Sequence, residues 1–199
     1  MARTAAGAAL TARQRGEQLR IRAGMLRDLL RAWQVVDPTN LSGTINRFAA
    51  LAVALIRPRN VESARSAERY FELFRRAEGL PGTLGGLVVP PPPDEQIADT
   101  VRGAGLAGII RARRAGQSPA AAARNGFVKA SGAASSLVLA GARATLLELV
   151  SADGRAAGWH RVTSADPCPW CADRSGQVLR EAVFGAHDHC SCTAEPAYE

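Results

Sequence analysis

The stretch that predicts most of the fold is residues 117–150, which read QSPAAAARNGFVKASGAASSLVLAGARATLLELV. Ser118 is a favourable N-cap and Pro119 suits the first helical position, so we expect a long helix that continues to about Ser151. Three glycines lie inside this helix: Gly126, Gly132 and Gly141. Each costs up to ~1 kcal/mol relative to alanine. We predict that the helix tolerates them because a neighbouring helix packs closely there.

The same stretch bears on membrane insertion. Its longest uncharged run, Ala130 to Ala142, is shorter than the roughly 20 apolar residues that span a bilayer. The N-terminal sequence MARTAAGAALTARQRGEQ lacks the apolar segment of a secretory signal. We therefore expect a soluble protein with no membrane partner.

Three helices are predicted before this stretch. They are expected over roughly Thr4 to Val35, from Asn40 or Ser42 to Pro58, and over about Val61 to Ala77. Pro38 disfavours helical geometry in the residue before it. Pro58 is expected to end the second helix because proline lacks the amide hydrogen that a helix interior needs. Gly79 is placed as a C-terminal cap of the third helix.

A linker and a further helix connect these helices to the long one. The linker lies in GLPGTLGGLVVPPPPDEQ, where Pro90 to Pro93 favour an extended polyproline segment. Asp94 is the expected cap of the next helix, from about Glu95 to Ala115. After residue 157 the sequence becomes rich in turns, with a short strand expected over Trp159 to Thr163.

These elements predict a mainly α fold with an extended helical N-terminal body and a small C-terminal α+β module like a zinc knuckle. The expected divisions are N-terminal basic helices (1–80), a Gly/Pro-rich linker (81–93), a long helical hairpin (94–157) and a Cys/His module (158–199).

The positive charge is concentrated in the N-terminal half. The formal net charge is +7, and residues 1–80 carry 14 arginines against 7 acids, whereas residues 151–199 carry 4 basic side chains against 7 acids. A basic body favours a place beside nucleic acid. Because no recognition motif is present, we expect contact with double-stranded DNA without sequence specificity.

All four cysteines lie in the last 32 residues. They are arranged as Cys168-x2-Cys171 and His187-x2-Cys190-x-Cys192, and paired ligands at such spacing can point at one tetrahedral zinc ion. We predict a structural zinc site made by Cys168, Cys171, His187 and Cys190. Cys192 is the chief alternative for the last position. A second nearby histidine, His189, is a further candidate.

The size of the C-terminal core also favours a metal. Residues 158–199 contain few large apolar side chains, so their burial roughly balances about 1.5 kcal/mol of entropy per ordered residue. Structural zinc can add about 10–16 kcal/mol. Docking on the helical body would also stabilise this segment. Two disulfides and four free thiols are the alternative states of the cysteines.

An enzyme is the less favoured interpretation. The sequence Pro167-Cys168-Pro-Trp-Cys171 matches half of the zinc-deaminase signature, which also needs a His-x-Glu element. The upstream histidine, His160, is followed by Arg161 and Val162, so the glutamate is missing. The other enzymatic option is a cysteine nucleophile, with Cys168 or Cys190 beside a histidine. Four clustered cysteines, however, suit a closed metal site better than one activated thiolate. We therefore expect no enzymatic activity and no catalytic residues.

The C-terminal motifs resemble those of MuF-like minor capsid proteins, the phage head morphogenesis family. The resemblance covers residues 158–196, with GWHRVTSADPCPWCADRSGQVL followed by HDHCSC and EP. The corresponding positions are Cys168, Cys171, Gly176, His187, Cys190, Cys192 and Pro196. Upstream, only the Ala- and Arg-rich helical style is similar, as in versions from phages of actinobacteria.

The resemblance implies a structural protein of a tailed phage virion, inside the head and made in the host cytoplasm during assembly. Its implied partners are the portal protein or the major capsid protein and packaged DNA, and the resemblance also allows for several copies around the portal. Two other functions stay open: a stand-alone DNA-binding protein with a zinc knuckle, and a deaminase- or nuclease-like effector.

Overall fold

The computed structural model describes residues 2–164, 166–187 and 189–199. In this part of the chain there are five helices and three strands. The helices are α1 (Ala5–Trp33), α2 (Leu41–Ala77), α3 (Asp94–Arg114), α4 (Pro119–Ala152) and α5 (Pro169–Asp173). The strands are β1 (Ala156–Val162), β2 (Val178–Leu179) and β3 (Thr193–Tyr198). The prediction of a mainly helical protein with a small C-terminal α+β module is confirmed.

The long helix α4 is the centre of the helical body and packs against α1, α2 and α3. Its predicted start is confirmed, because the Ser118 hydroxyl accepts a hydrogen bond from the Ala121 amide at 3.3 Å and Pro119 is the first helical residue. By length and composition alone α4 could cross a membrane. In the fold, 72% of the most apolar 18-residue stretch of α4 is buried. The apolar side chains of α4 therefore form part of the core of the helical body.

Two of the three glycines of α4 lie where a neighbouring helix approaches. A Cβ at Gly126 would come within 2.9 Å of the Gly105 carbonyl oxygen, and one at Gly141 would meet the backbone oxygen of Asn60. Gly132 differs from the prediction, since its neighbour is the imidazole of His189, whose Nε2 would lie 2.8 Å from an added Cβ.

The predicted helix break at Pro58 is wrong, because α2 is one continuous helix of 37 residues. Pro58 is exposed, whereas Ile56 and Asn60 on either side are buried. The Asn60 side chain donates a hydrogen bond to the Leu137 carbonyl of α4 at 2.8 Å. The same face of α2 therefore docks on α4 before and after the proline, and this packing outweighs the local cost of about 3 kcal/mol.

Asp94 does not cap α3 as predicted. Pro93 occupies the cap position without a side-chain hydrogen bond, and Asp94 lies in the first turn, where it pairs with Arg57 of α2 at 2.6 Å. A carboxylate in the first turn still complements the helix dipole.

The proline-rich segment between α2 and α3 has no helix or strand, as expected, and lies along α2 and α4. Its backbone amides donate to side chains of those helices. These bonds join Leu84 to Glu72, Gly86 to Glu68, and Val89 to Thr145, at 2.8, 2.9 and 3.0 Å.

The C-terminal module docks on the helical body through a shared core. Phe71 and Phe74 of α2 and Leu149 of α4 pack in one cluster with Trp159 and Phe184 of the module. This cluster is separate from the larger core between α1, α2, α3 and α4. Docking therefore adds apolar burial that the small tail lacks by itself.

The three strands form an antiparallel sheet in the order β2-β1-β3. The central strand covers the predicted position but begins at Ala156, three residues earlier than expected. The N-terminal segment is hydrogen-bonded to β3 of the sheet. The Ala2 amide and the Thr11 hydroxyl both donate to the buried carboxylate of Glu195, at 2.8 and 2.6 Å.

Candidate metal centre

The five predicted ligands lie in three separate segments of the module. Cys168 is the N-cap of α5, and Cys171 lies inside this short helix. His187 belongs to the loop after β2, and Cys190 and Cys192 precede β3. Because β2 and β3 both pair with β1, the sheet brings these distant segments to one place.

The donor atoms form two overlapping groups of three. One contains Cys168, Cys171 and His187, and the other contains Cys171, Cys190 and Cys192; within each group all donor atoms lie within 4.8 Å of one another. The His187 Nε2 is 3.1 Å from the Cys168 Sγ and 3.6 Å from the Cys171 Sγ. No disulfide joins any two of the four cysteines, all of which belong to the described residues.

These separations suit a tetrahedral metal. Metal–sulfur bonds of about 2.3 Å place neighbouring sulfurs about 3.8 Å apart in a tetrahedron. Thiolate and imidazole donors favour zinc among the biological divalent cations. Because Cys171 belongs to both groups, it is the donor that links Cys168 and His187 to Cys190 and Cys192.

The two neighbouring histidines have different positions. His187 lies beside Cys168 and Cys171, whereas His189 has a positive φ of 62° and places its ring against Gly132 of α4. His160 is on β1 with its Nδ1 3.0 Å from the Gln177 carbonyl oxygen, and it belongs to neither group of candidate ligands. The deaminase interpretation of His160 as a ligand therefore has no geometric support.

The thiols of the cluster have different acidities. A hydrogen bond from the Cys192 thiol lowers the pKa of Cys190 to about 4, and it raises the pKa of Cys192 above its ordinary value. Burial raises the pKa of Cys171, whereas the Cys171 backbone amide lowers the pKa of Cys168. A metal ligand must be deprotonated, so ion binding would release protons from the cluster.

Two buried arginines lie beside the cluster, and the sequence analysis predicted a role at the site for neither. Arg143 of α4 donates to the carbonyl oxygens of Cys190 and Cys192, each at 2.9 Å from Nη2. Arg161 of β1 has its Nη1 3.9 Å from the Cys171 Sγ. Burial lowers the pKa of Arg143. The available signal was that Arg143 is the sole charged residue between Ala130 and Leu147.

The fold and the cluster define a small helical protein with a thiol-rich module that can hold a metal ion. Comparison with protein families shows that the chain belongs to the VG15 protein family, whose model matches residues 2–199. VG15 is a family of phage and viral proteins. No curated protein matches the chain. No solved structure matches it either.

Proposed function

We propose that this protein is a minor capsid, or head morphogenesis, structural protein of a tailed phage. Membership of a viral protein family over residues 2–199 is the observation that carries this proposal. The resemblance of residues 158–196 to MuF-like proteins narrows it to a component inside the head, next to the portal or inner capsid. The actinobacterial host belongs to the same proposal.

Locating the chain in purified particles tests this function. We expect peptides of this protein in intact, nuclease-treated virions, at a low copy number compatible with a place around the portal. Protease treatment of intact particles should leave it uncleaved, because it lies inside the head. Its absence from particles, or its presence only in infected-cell lysate, would contradict the proposal.

We also propose that the module binds one structural zinc ion through four of Cys168, Cys171, His187, Cys190 and Cys192. Cys171, Cys190 and Cys192 are buried, which suits a closed structural site and leaves little room for a substrate. Purified, reduced protein should contain close to one equivalent of zinc. Less than half an equivalent in folded protein would refute the site.

The contact with packaged DNA is proposed for an exposed basic surface on α1 and α2. Arg57, Arg65 and Arg69 follow one another at helical spacing on α2, and Arg13 of α1 lines an adjoining groove with Arg69. Arg13, Arg65 and Arg69 have no ion-pair partner within the described ranges 2–164, 166–187 and 189–199. They are therefore available to phosphates.

Replacing Arg13, Arg65 and Arg69 by alanine tests the DNA surface. The slope of log affinity against log salt should fall by about 0.9 for each lost phosphate contact. A matched control replaces Arg111, Arg113 and Arg114 at the end of α3, and its slope should change less. Equal losses in the two triple variants would contradict this assignment of the surface.

A stand-alone DNA-binding protein is the second candidate, favoured by the same unpaired arginines. It would discriminate between DNA sequences, whereas a packaged protein should bind different duplexes with uniform, salt-sensitive affinity. A deaminase- or nuclease-like effector is the third, and it would lose turnover when Cys168 or His160 is replaced. We propose that no such turnover exists.

A further inference from the structure

Arg143 and Arg161 are buried cations without a carboxylate partner in the described segments 2–164, 166–187 and 189–199. Their exposed fractions are 5% and 2%. The Arg143 hydrogen bonds go to the Cys190 and Cys192 carbonyl oxygens. Arg161 donates to the Gly185 carbonyl at 2.7 Å, and its Nε has no hydrogen-bond partner.

The two charges lie close together as well as deep. The guanidinium carbons of Arg143 and Arg161 are 4.7 and 4.0 Å from the ring centroid of the same side chain, Phe184. An aromatic face attracts a cation, but it offsets only a small part of the desolvation of two like charges. A buried charge of this kind is normally paired with an opposite one.

Another buried arginine shows the usual solution. Arg75, with 4% of its surface exposed, forms an ion pair with the buried carboxylate of Asp153. Arg143 and Arg161 lie next to the cysteine cluster instead of a carboxylate. The Cys171 Sγ faces Arg161, and the segment from Cys190 to Cys192 is bonded to Arg143.

We infer that Arg143 and Arg161 are the counter-charges of an anionic zinc–thiolate centre. The inference rests on the proposed zinc site. Zinc with three thiolates and a neutral imidazole carries a net charge of −1, and with four thiolates −2. Both ligand sets are anionic, so both are stabilised by two adjacent guanidinium groups.

The roles of counter-charge and of simple packing differ in one measurable quantity. A residue that only packs or bonds to carbonyl groups stabilises the metal-free and the zinc-loaded protein equally, so its loss leaves the zinc dissociation constant unchanged. A counter-charge stabilises the zinc-loaded state more, because only there are all the ligand thiols ionised. Its loss must therefore weaken zinc binding.

The test measures the zinc dissociation constant of the full chain by chelator competition under reducing conditions. Arg143→Met removes the charge and keeps an unbranched apolar stem. We expect about a 10- to 100-fold weaker zinc affinity, the usual effect of an outer-shell partner. Arg143→Lys keeps the charge and should recover most of that loss. Arg161→Met supplies the same test if the first variant does not fold.

Two controls make the result specific. Arg75→Met removes a buried arginine of the body and should lower stability while zinc affinity stays within about threefold of wild type, below the 10-fold expected of an outer-shell partner. Asp188→Asn removes a carboxylate that lies outside the described residues. We expect its zinc affinity not to fall, because a carboxylate cannot balance the charge of an anionic centre. A loss as large as that of Arg143→Met would show that zinc affinity does not follow local charge, and it would overturn the inference.

The outcomes separate this inference from the zinc site itself. If wild-type protein binds less than half an equivalent of zinc, the proposed site fails before any variant is compared. If wild type binds zinc and Arg143→Met binds it equally well, only the counter-charge role is overturned. It is overturned as well if Arg143→Lys is as weak as Arg143→Met, because geometry would then explain the loss.

Discussion

Replacing Pro58 by alanine should stabilise this protein. Pro58 lies inside α2, 17 residues after the helix begins at Leu41, and its side chain is exposed. Proline there lacks the amide hydrogen for the bond to the carbonyl four residues earlier, and its ring crowds that carbonyl. Alanine restores the bond and leaves no cavity, since no core packing is lost.

The magnitude follows from two opposing contributions. Proline is about 3 kcal/mol less favourable than alanine in a helix interior. Alanine, however, gives the unfolded chain more conformational freedom, which offsets about 0.4–1 kcal/mol. We expect a net gain of roughly 2 kcal/mol, which corresponds to a rise of about 4–8 °C in Tm for a domain of this size.

Urea unfolding, monitored by the helical signal in circular dichroism, measures this gain in stability. Pro119→Ala is the matched control, because Pro119 occupies the first helical position of α4, where no intrahelical amide bond is lost. Its stability should change by less than about 1 kcal/mol, the unfolded-state contribution alone. If Pro58→Ala is neutral or destabilising, the continuous α2 is refuted and a helix break at Pro58 is the better description.

Three other perturbations have definite expected results. Burial raises the pKa of Glu78, but hydrogen bonds from Thr4 and Arg3 outweigh burial and hold that pKa below the ordinary 4.5. Glu78 therefore contributes to the free energy of unfolding above pH 4.5, and this contribution is lost as the pH falls through its lower folded pKa. In Glu78→Gln, the free energy of unfolding measured against pH should lack this acid-induced decrease. Gly141→Ala should destabilise the protein by about 1–3 kcal/mol in urea unfolding, because the added Cβ would meet the backbone of α2. Its control, Gly16→Ala, has no atom near the added Cβ and should stabilise the protein by up to ~1 kcal/mol. Chelation of zinc should change the tryptophan fluorescence of the C-terminal module and leave most of the helical signal; a complete loss of helicity would show that the body also needs the metal.

The outcome at Pro58 shows where local sequence rules reach their limit. The rule that proline ends a helix describes an isolated segment, and in this fold the α2 face that packs on α4 continues past the proline. By contrast, Ser118 and Pro119 act within one helical turn, and the start they predict for α4 is confirmed. The glycines of α4 are intermediate, because their number predicts close packing but not the partner, which for Gly132 is His189.

The candidate metal centre divides in the same way. Spacing alone brought Cys168, Cys171, His187, Cys190 and Cys192 forward as candidate ligands, since short intervals restrict where two side chains can point. No spacing rule places Arg143, which lies 25 residues before Cys168 in a helix of the body. Its relation to the cluster depends on the docking of the sheet on α4.

The sequence by itself determined the features set by neighbouring residues: the helical majority, the start of α4, the absence of helix and strand from the proline-rich segment, and the cysteine pairs. Each depends on backbone geometry over a few residues, which the chain carries wherever it folds. Only the tertiary structure decided that α2 continues through Pro58, that His187 rather than His189 faces the thiols, and that two buried arginines lie beside them. These depend on which surfaces meet, and burial energies at such contacts exceed local preferences.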